Sequence, residues 1–95
     1  MVPTSSLVSG TVTRLIAAQP HSKGKVEAAW HLAVGRGMAR LSAPVRDAGG
    51  VVYVEARDSG VAEQLDVHRR VIEARLREVL GTRGRTFAVV GTSSS

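Results

Sequence analysis

The sequence predicts a small α+β domain in the order α-α-β-β-α-β, with the helices packed on one face of a three-stranded sheet. Three observations carry that expectation. Apolar residues recur at helical spacing in three stretches, and a fourth stretch alternates singly in the manner of a strand. Between the strand-like runs lies Asp47-Ala48-Gly49-Gly50, which supplies the positive φ angles of a hairpin turn. The chain has 95 residues, 43% of them hydrophobic and 22% charged, which is the composition of one folded domain with a single core. Aromatic residues are only 3%, so Val, Leu, Ala and Ile must build most of that core.

Leu7, Val8, Val12, Leu15 and Ile16 suggest a first helix between Ser6 and Ala18, despite Gly10. Gln19 to Gly24, with Pro20, reads as a loop, and Ser22 suits the N-cap of a second helix. Val26, Ala29, Trp30, Ala33, Val34, Gly37 and Leu41 then trace one helix face. Trp30 sits in the middle of that stripe as the expected core anchor, with Val34 beside it. Gly35 and Gly37 weaken the pattern and predict a kink or short break where another element passes close. Pro44 ends the segment.

Val45-Arg46 and Val51 to Arg57 form the expected hairpin, with Val52, Val54 and Ala56 facing the core and Tyr53 and Glu55 facing away. Asp58 or Ser59 caps a third helix in which Val61, Leu65, His68, Ile72, Leu76 and Val79 run continuously to Gly81. Leu65, Ile72 and Leu76 are its principal core residues. Its outer face pairs Asp66 with Arg70, Arg69 with Glu73 and Glu73 with Arg77, so its arginines are poor candidates for binding a ligand. Arg85 to Val90 is the last strand. Residues 1–5 and 92–95 are expected to fray, leaving 6–91 as the domain.

Charge gives the first functional indication. The formal net charge is +5, and residues 1–50 carry six basic side chains against two acidic ones. Such an imbalance favours a polyanion. Arginine outnumbers lysine eleven to two, which suits phosphate contacts. Lys25, Arg36 and Arg40 fall in one sector beside the apolar stripe, with no acidic partner at helical spacing, and form the first candidate nucleic-acid surface. Arg83 and Arg85 add charge to a second loop.

Several chemistries are disfavoured. The chain has no cysteine, which removes disulfides, thiol catalysis and thiolate metal sites. Gly35-Arg36-Gly37 lacks the GxxxxGK[ST] that makes a phosphate loop. Gly81-Thr82-Arg83-Gly84 spells the GxxG of KH domains, but lies between a helix and a strand rather than between two helices. His21, His31 and His68 do not converge, and His68 belongs to a packing face. No catalytic, cofactor, metal or small-molecule site is expected. No run reaches the roughly 18 apolar residues of a membrane span, and no secretion signal opens the chain, so the expected location is cytoplasmic.

Trp30-xxx-Val34-Gly35 followed by Met38-Ala39-Arg40-Leu41-Ser42-Ala43-Pro44-Val45 resembles the "W-x-x-x-V-G … L-A-x-H-S-x-P" core of the bacterial DciA family, loaders of the replicative DNA helicase. Gly49-Gly50-Val51-Val52-Tyr53-Val54 is similar to its "G-G-x-L-x-V" strand, and Ala62-Glu63-Gln64-Leu65 to its "W-A-Q-E-L", with Val61 where the family has Trp. Leu76 to Gly81 resembles its "L-N-x-x-L-G" ending. The resemblance covers residues 22–91. It implies a KH-like fold, non-specific affinity for single- or double-stranded DNA, partnership with the replicative helicase, and no ATPase activity. The expected function is a non-catalytic DNA replication factor. The other readings are a protein-interaction adaptor with incidental charge and an RNA-binding module of ribosome assembly.

Overall fold

A computed structural model describes residues 4–92 of the chain, with side chains from Thr11 to Thr92. The elements are α1 (Thr4–Ala17), α2 (Lys23–Ala39), β1 (Ser42–Ala48), β2 (Val51–Ala56), α3 (Ser59–Val67), α4 (Arg69–Leu80), a 3-10 turn (Gly81–Arg83) and β3 (Thr86–Thr92). The mixed α+β class and the three-stranded sheet are as expected, and the architecture is consistent with a small KH-like domain. Of the ends expected to fray, residues 1–3 and 93–95 lie outside the described residues, as do the side chains of Leu7 and Val8. Among the described residues no helix is long and apolar enough to cross a membrane.

Ser22 caps α2 as expected, and of the two candidates Asp58 and Ser59 it is Asp58 that caps α3. The Ser22 hydroxyl accepts from the Lys25 N–H at 3.1 Å and the Asp58 carboxylate from the Val61 N–H at 2.9 Å, each satisfying one of the free donors of a first turn. Helix α2 breaks at Gly35, whose φ of 85° and ψ of 164° are open essentially to glycine alone. A Cβ there would meet nothing within 4 Å, so backbone conformation, rather than the expected close passage of another element, calls for glycine.

The continuous third helix is the main correction to the predicted order. It divides into α3 and α4 at His68, whose φ of −99° and ψ of 17° leave the helical basin. His68 is exposed at that junction and not on a packing face. The junction between two helices, where a KH clamp would place its glycines, carries Val67, His68 and Arg69 instead.

Strand β1 starts at Ser42, ahead of the expected Val45, and pairs antiparallel with β2. Pro44 is tolerated because β1 is an edge strand, and Val45 bulges out where the register shifts between Pro44 and Arg46. Strand β3 pairs with β2 in parallel, as the α3–α4 crossover requires. Its outer edge is partly sealed. The Phe87 N–H donates to the Glu73 carboxylate at 3.2 Å, and the Phe87 carbonyl accepts from the Arg69 guanidinium at 2.6 Å.

Val52, Val54, Ala56 and Phe87 bury one sheet face under α2, α3 and α4, while α1 packs against α2 and α4. Trp30, Leu65, Ile72 and Leu76 are buried in this core, and Val34 is half-buried against it. The indole edge meets Phe87 with centroids 5.3 Å apart at 68°. Its N–H donates to the Ser42 hydroxyl at 3.0 Å, which in turn donates to the Met38 carbonyl at 2.8 Å. That relay ties the helix segment beyond the Gly35 break to the core.

Candidate nucleic-acid interface

A cation in a folded chain either finds a partner or stays in water, and the structure sorts the basic residues by that choice. Lys25 is corrected outright. It is only 9% exposed, and its ammonium donates to the carbonyls of Ala17 at 3.0 Å and Gln19 at 2.8 Å. The last carbonyls of a helix lack internal donors, and a lysine there satisfies them and opposes the helix dipole. Lys25 therefore fastens α1 to α2, its ammonium committed to backbone carbonyls instead of standing free in solvent. Lys25→Met should cost about 1–3 kcal/mol, as expected when buried charge-assisted bonds are lost. Urea unfolding checks the cost, and amide exchange should show the loosening concentrated in α1.

Arg36 and Arg40 are exposed and, among the described residues, make no ion pair. The helical wheel that grouped them with Lys25 does not survive the break at Gly35. Their neighbourhood gains a residue that helical spacing could not reveal. The Arg57 N–H donates to the Leu41 carbonyl at 2.7 Å, which brings the exposed Arg57 to the end of the sheet where α2 finishes.

Arg83 and Arg85 are also exposed, but at the opposite end. The Gly50 carbonyl accepts from the N–H groups of Arg85 at 2.8 Å and Thr86 at 3.3 Å, docking their loop on the hairpin turn. Arg77 donates to the Arg85 carbonyl at 3.3 Å instead of pairing with Glu73. The two candidate groups of arginines thus lie at opposite ends of the sheet, separated by the length of β2, roughly 20 Å at about 3.3 Å per residue. On β1 between them, Arg46 lies 4.4 Å from the Tyr53 ring centroid.

The expected pairing on α4 holds only for Arg69 with Glu73, at 3.0 Å. Asp66 pairs with Arg69 at 3.1 Å rather than with Arg70. Arg69 also lies 4.2 Å from the Phe87 centroid, so its role is structural. Arg70 and Arg77 are left without an acidic partner among the described residues, freer than their sequence neighbours implied. His21 bonds Asp47 at 2.7 Å and pins the α1–α2 loop to β1, while the exposed His31 and His68 lie elsewhere. Among the described residues no group of three or more His, Asp or Glu side chains could hold a metal ion.

Helices on one face of a mixed three-stranded sheet, with free guanidinium groups at both ends, define a small arginine-rich α+β domain consistent with the KH-like class. Residues 3–85 match the family described as Dna[CI] antecedent, DciA, and the chain belongs to the DciA family. The match takes in α1, ahead of the residues that carried the resemblance. This family is associated with loading of the replicative helicase in bacterial DNA replication and is not known for catalysis. No curated protein matches the chain.

Proposed function

We propose that this domain is a non-catalytic helicase-loading factor that holds DNA weakly and without sequence preference through its two arginine-rich ends. Membership in a helicase-loading family is the observation that carries the reading. The exposed Arg36, Arg40 and Arg57 at one end, and Arg83 and Arg85 at the other, none of them in an ion pair among the described residues, supply the surface. Guanidinium groups without internal partners are free to displace counterions from phosphates, and no base-reading element is needed for that. Such a factor works in the cytoplasm beside the helicase, whose own ATPase drives unwinding.

Fluorescence anisotropy with labelled single- and double-stranded DNA tests the reading. Dissociation constants on the order of 10⁻⁴–10⁻⁶ M are expected, weakening steeply as salt is raised. Each double substitution, Arg36→Ala with Arg40→Ala or Arg83→Ala with Arg85→Ala, should lower the salt slope on duplex DNA by about 1.8 if both side chains meet phosphates. Unaltered slopes in both pairs would refute this placement of the DNA. Absent binding by the unmodified chain would return the protein-adaptor reading to the front.

A further inference from the structure

The basic ends leave shaped features of the surface without a role, and one of them lies against the break in α2. A groove of about 220 Å³ opens between the second half of α2 and the α3–α4 corner. Leu65 and Ile72 lie buried along it, Val34 and Met38 half-buried, and Val71 stands 51% exposed at its side. The Gly35 break shapes this region. Two residues before the break, the Ala33 carbonyl accepts from the Arg75 guanidinium at 3.1 Å, so Arg75 is held at the groove with further N–H donors to spare. Among the described residues no carboxylate lines the groove. In the adjoining depression at the α3–α4 corner, among the described residues, Arg70 makes no ion pair and the lining carboxylate, Asp66, is taken by Arg69. Val67, 71% exposed, extends the apolar surface at the corner.

This chemistry narrows the occupant. The volume is below the roughly 300–1,000 Å³ of small-molecule and cofactor sites, and suits a single large apolar side chain. Apolar walls are wrong for a phosphate backbone, whereas an arginine beside them suits a carboxylate next to the anchor. Interface energy concentrates in such pockets, where one buried anchor is ringed by polar groups. Met38 adds a wall that can adapt its shape.

We infer that this groove takes a bulky apolar side chain, flanked by carboxylates, from the replicative helicase; the inference rests on the helicase-loading reading above.

Biolayer interferometry with purified helicase, alongside DNA anisotropy, tests it on the full chain and on Val71→Asp and Arg75→Gln. Val71 is exposed, so Val71→Asp should retain the wild-type circular dichroism. Each variant should bind helicase at least about tenfold more weakly, the scale of a lost interface anchor, while Val71→Asp leaves DNA affinity within about twofold. A benzophenone amino acid placed at Val71 should crosslink to a helicase segment in which a large apolar residue neighbours Asp or Glu. Wild-type helicase binding in both variants overturns the groove and leaves the loader reading standing. So does a crosslink to a basic or wholly polar segment, or loss of DNA binding with helicase binding retained. If the unmodified chain binds DNA but no helicase, the loader reading fails and the groove assignment falls with it.

Discussion

Trp30→Ala should destabilise the domain by about 3–5 kcal/mol, the usual cost of removing a buried aromatic side chain. A chain of 95 residues has a total stability of roughly 5–14 kcal/mol, so this one change would consume much of it. The expected fall in Tm is on the order of 20 °C. Three losses add up at this site. The indole, 1% exposed, leaves a cavity within the buried core cluster. Phe87 loses its edge contact. The Ser42 hydroxyl loses the indole N–H as its donor, which cuts the link between the core and the segment beyond Gly35. Trp30→Phe separates these contributions, since it keeps most of the ring while removing the N–H. Ser42 can still donate to the Met38 carbonyl, so Trp30→Phe should cost only about 1–2 kcal/mol. Denaturant unfolding followed by circular dichroism measures both, because either change removes the chain's only tryptophan fluorophore. A wild-type midpoint for Trp30→Ala would mean that the core is not organised around the indole.

The elements that local chemistry dictates were the legible ones. Alternation placed Val52, Val54 and Ala56 inward, and Ser22 and Asp58 were recognisable caps because a cap needs only its own first turn. The break at His68 was hidden for a physical reason. Leu65 and Ile72 stay buried seven residues apart, so the apolar period runs through the junction, and no glycine or proline marks it. The corner that forms one side of the groove was therefore invisible. Lys25 misled for a different reason. Helical spacing counts carboxylates as partners, but its partners are two backbone carbonyls that only the folded return of α1 presents. Arg57 was missed because its position beside α2 comes from pairing across the β1–β2 ladder. Trp30 and Gly35, which carried the family resemblance, have structural roles as core anchor and helix break, so the motif reports the fold more directly than it reports a binding site.

Gly50→Ala should be far more damaging than Gly49→Ala, although the two residues are adjacent and both have positive φ. The values are 60° at Gly49 and 80° at Gly50, as a two-residue hairpin turn demands. At Gly49 a Cβ would meet nothing within 4 Å, so alanine there pays only for the left-handed backbone, about 1–2 kcal/mol. Asn tolerates that conformation and is favoured in such turns, so Gly49→Asn should be close to neutral. At Gly50 a Cβ would lie 2.8 Å from the Thr82 carbonyl oxygen, which is backbone and cannot swing away as a side-chain tip could. The loop cannot retreat freely either, because the N–H groups of Arg85 and Thr86 both donate to the Gly50 carbonyl. Overpacking therefore adds about 1–3 kcal/mol to the backbone cost, for a total of roughly 2–5 kcal/mol. The expected order in urea midpoint is wild type and Gly49→Asn together, then Gly49→Ala, then Gly50→Ala. Relief of the clash requires the 81–85 loop to leave the hairpin, taking Arg83 and Arg85 with it. DNA affinity measured well below the unfolding midpoint should then fall for Gly50→Ala and hold for Gly49→Asn. If Gly50→Ala matched Gly49→Ala in stability, the loop would not be packed against the turn, and the geometry assigned to that basic end would be wrong.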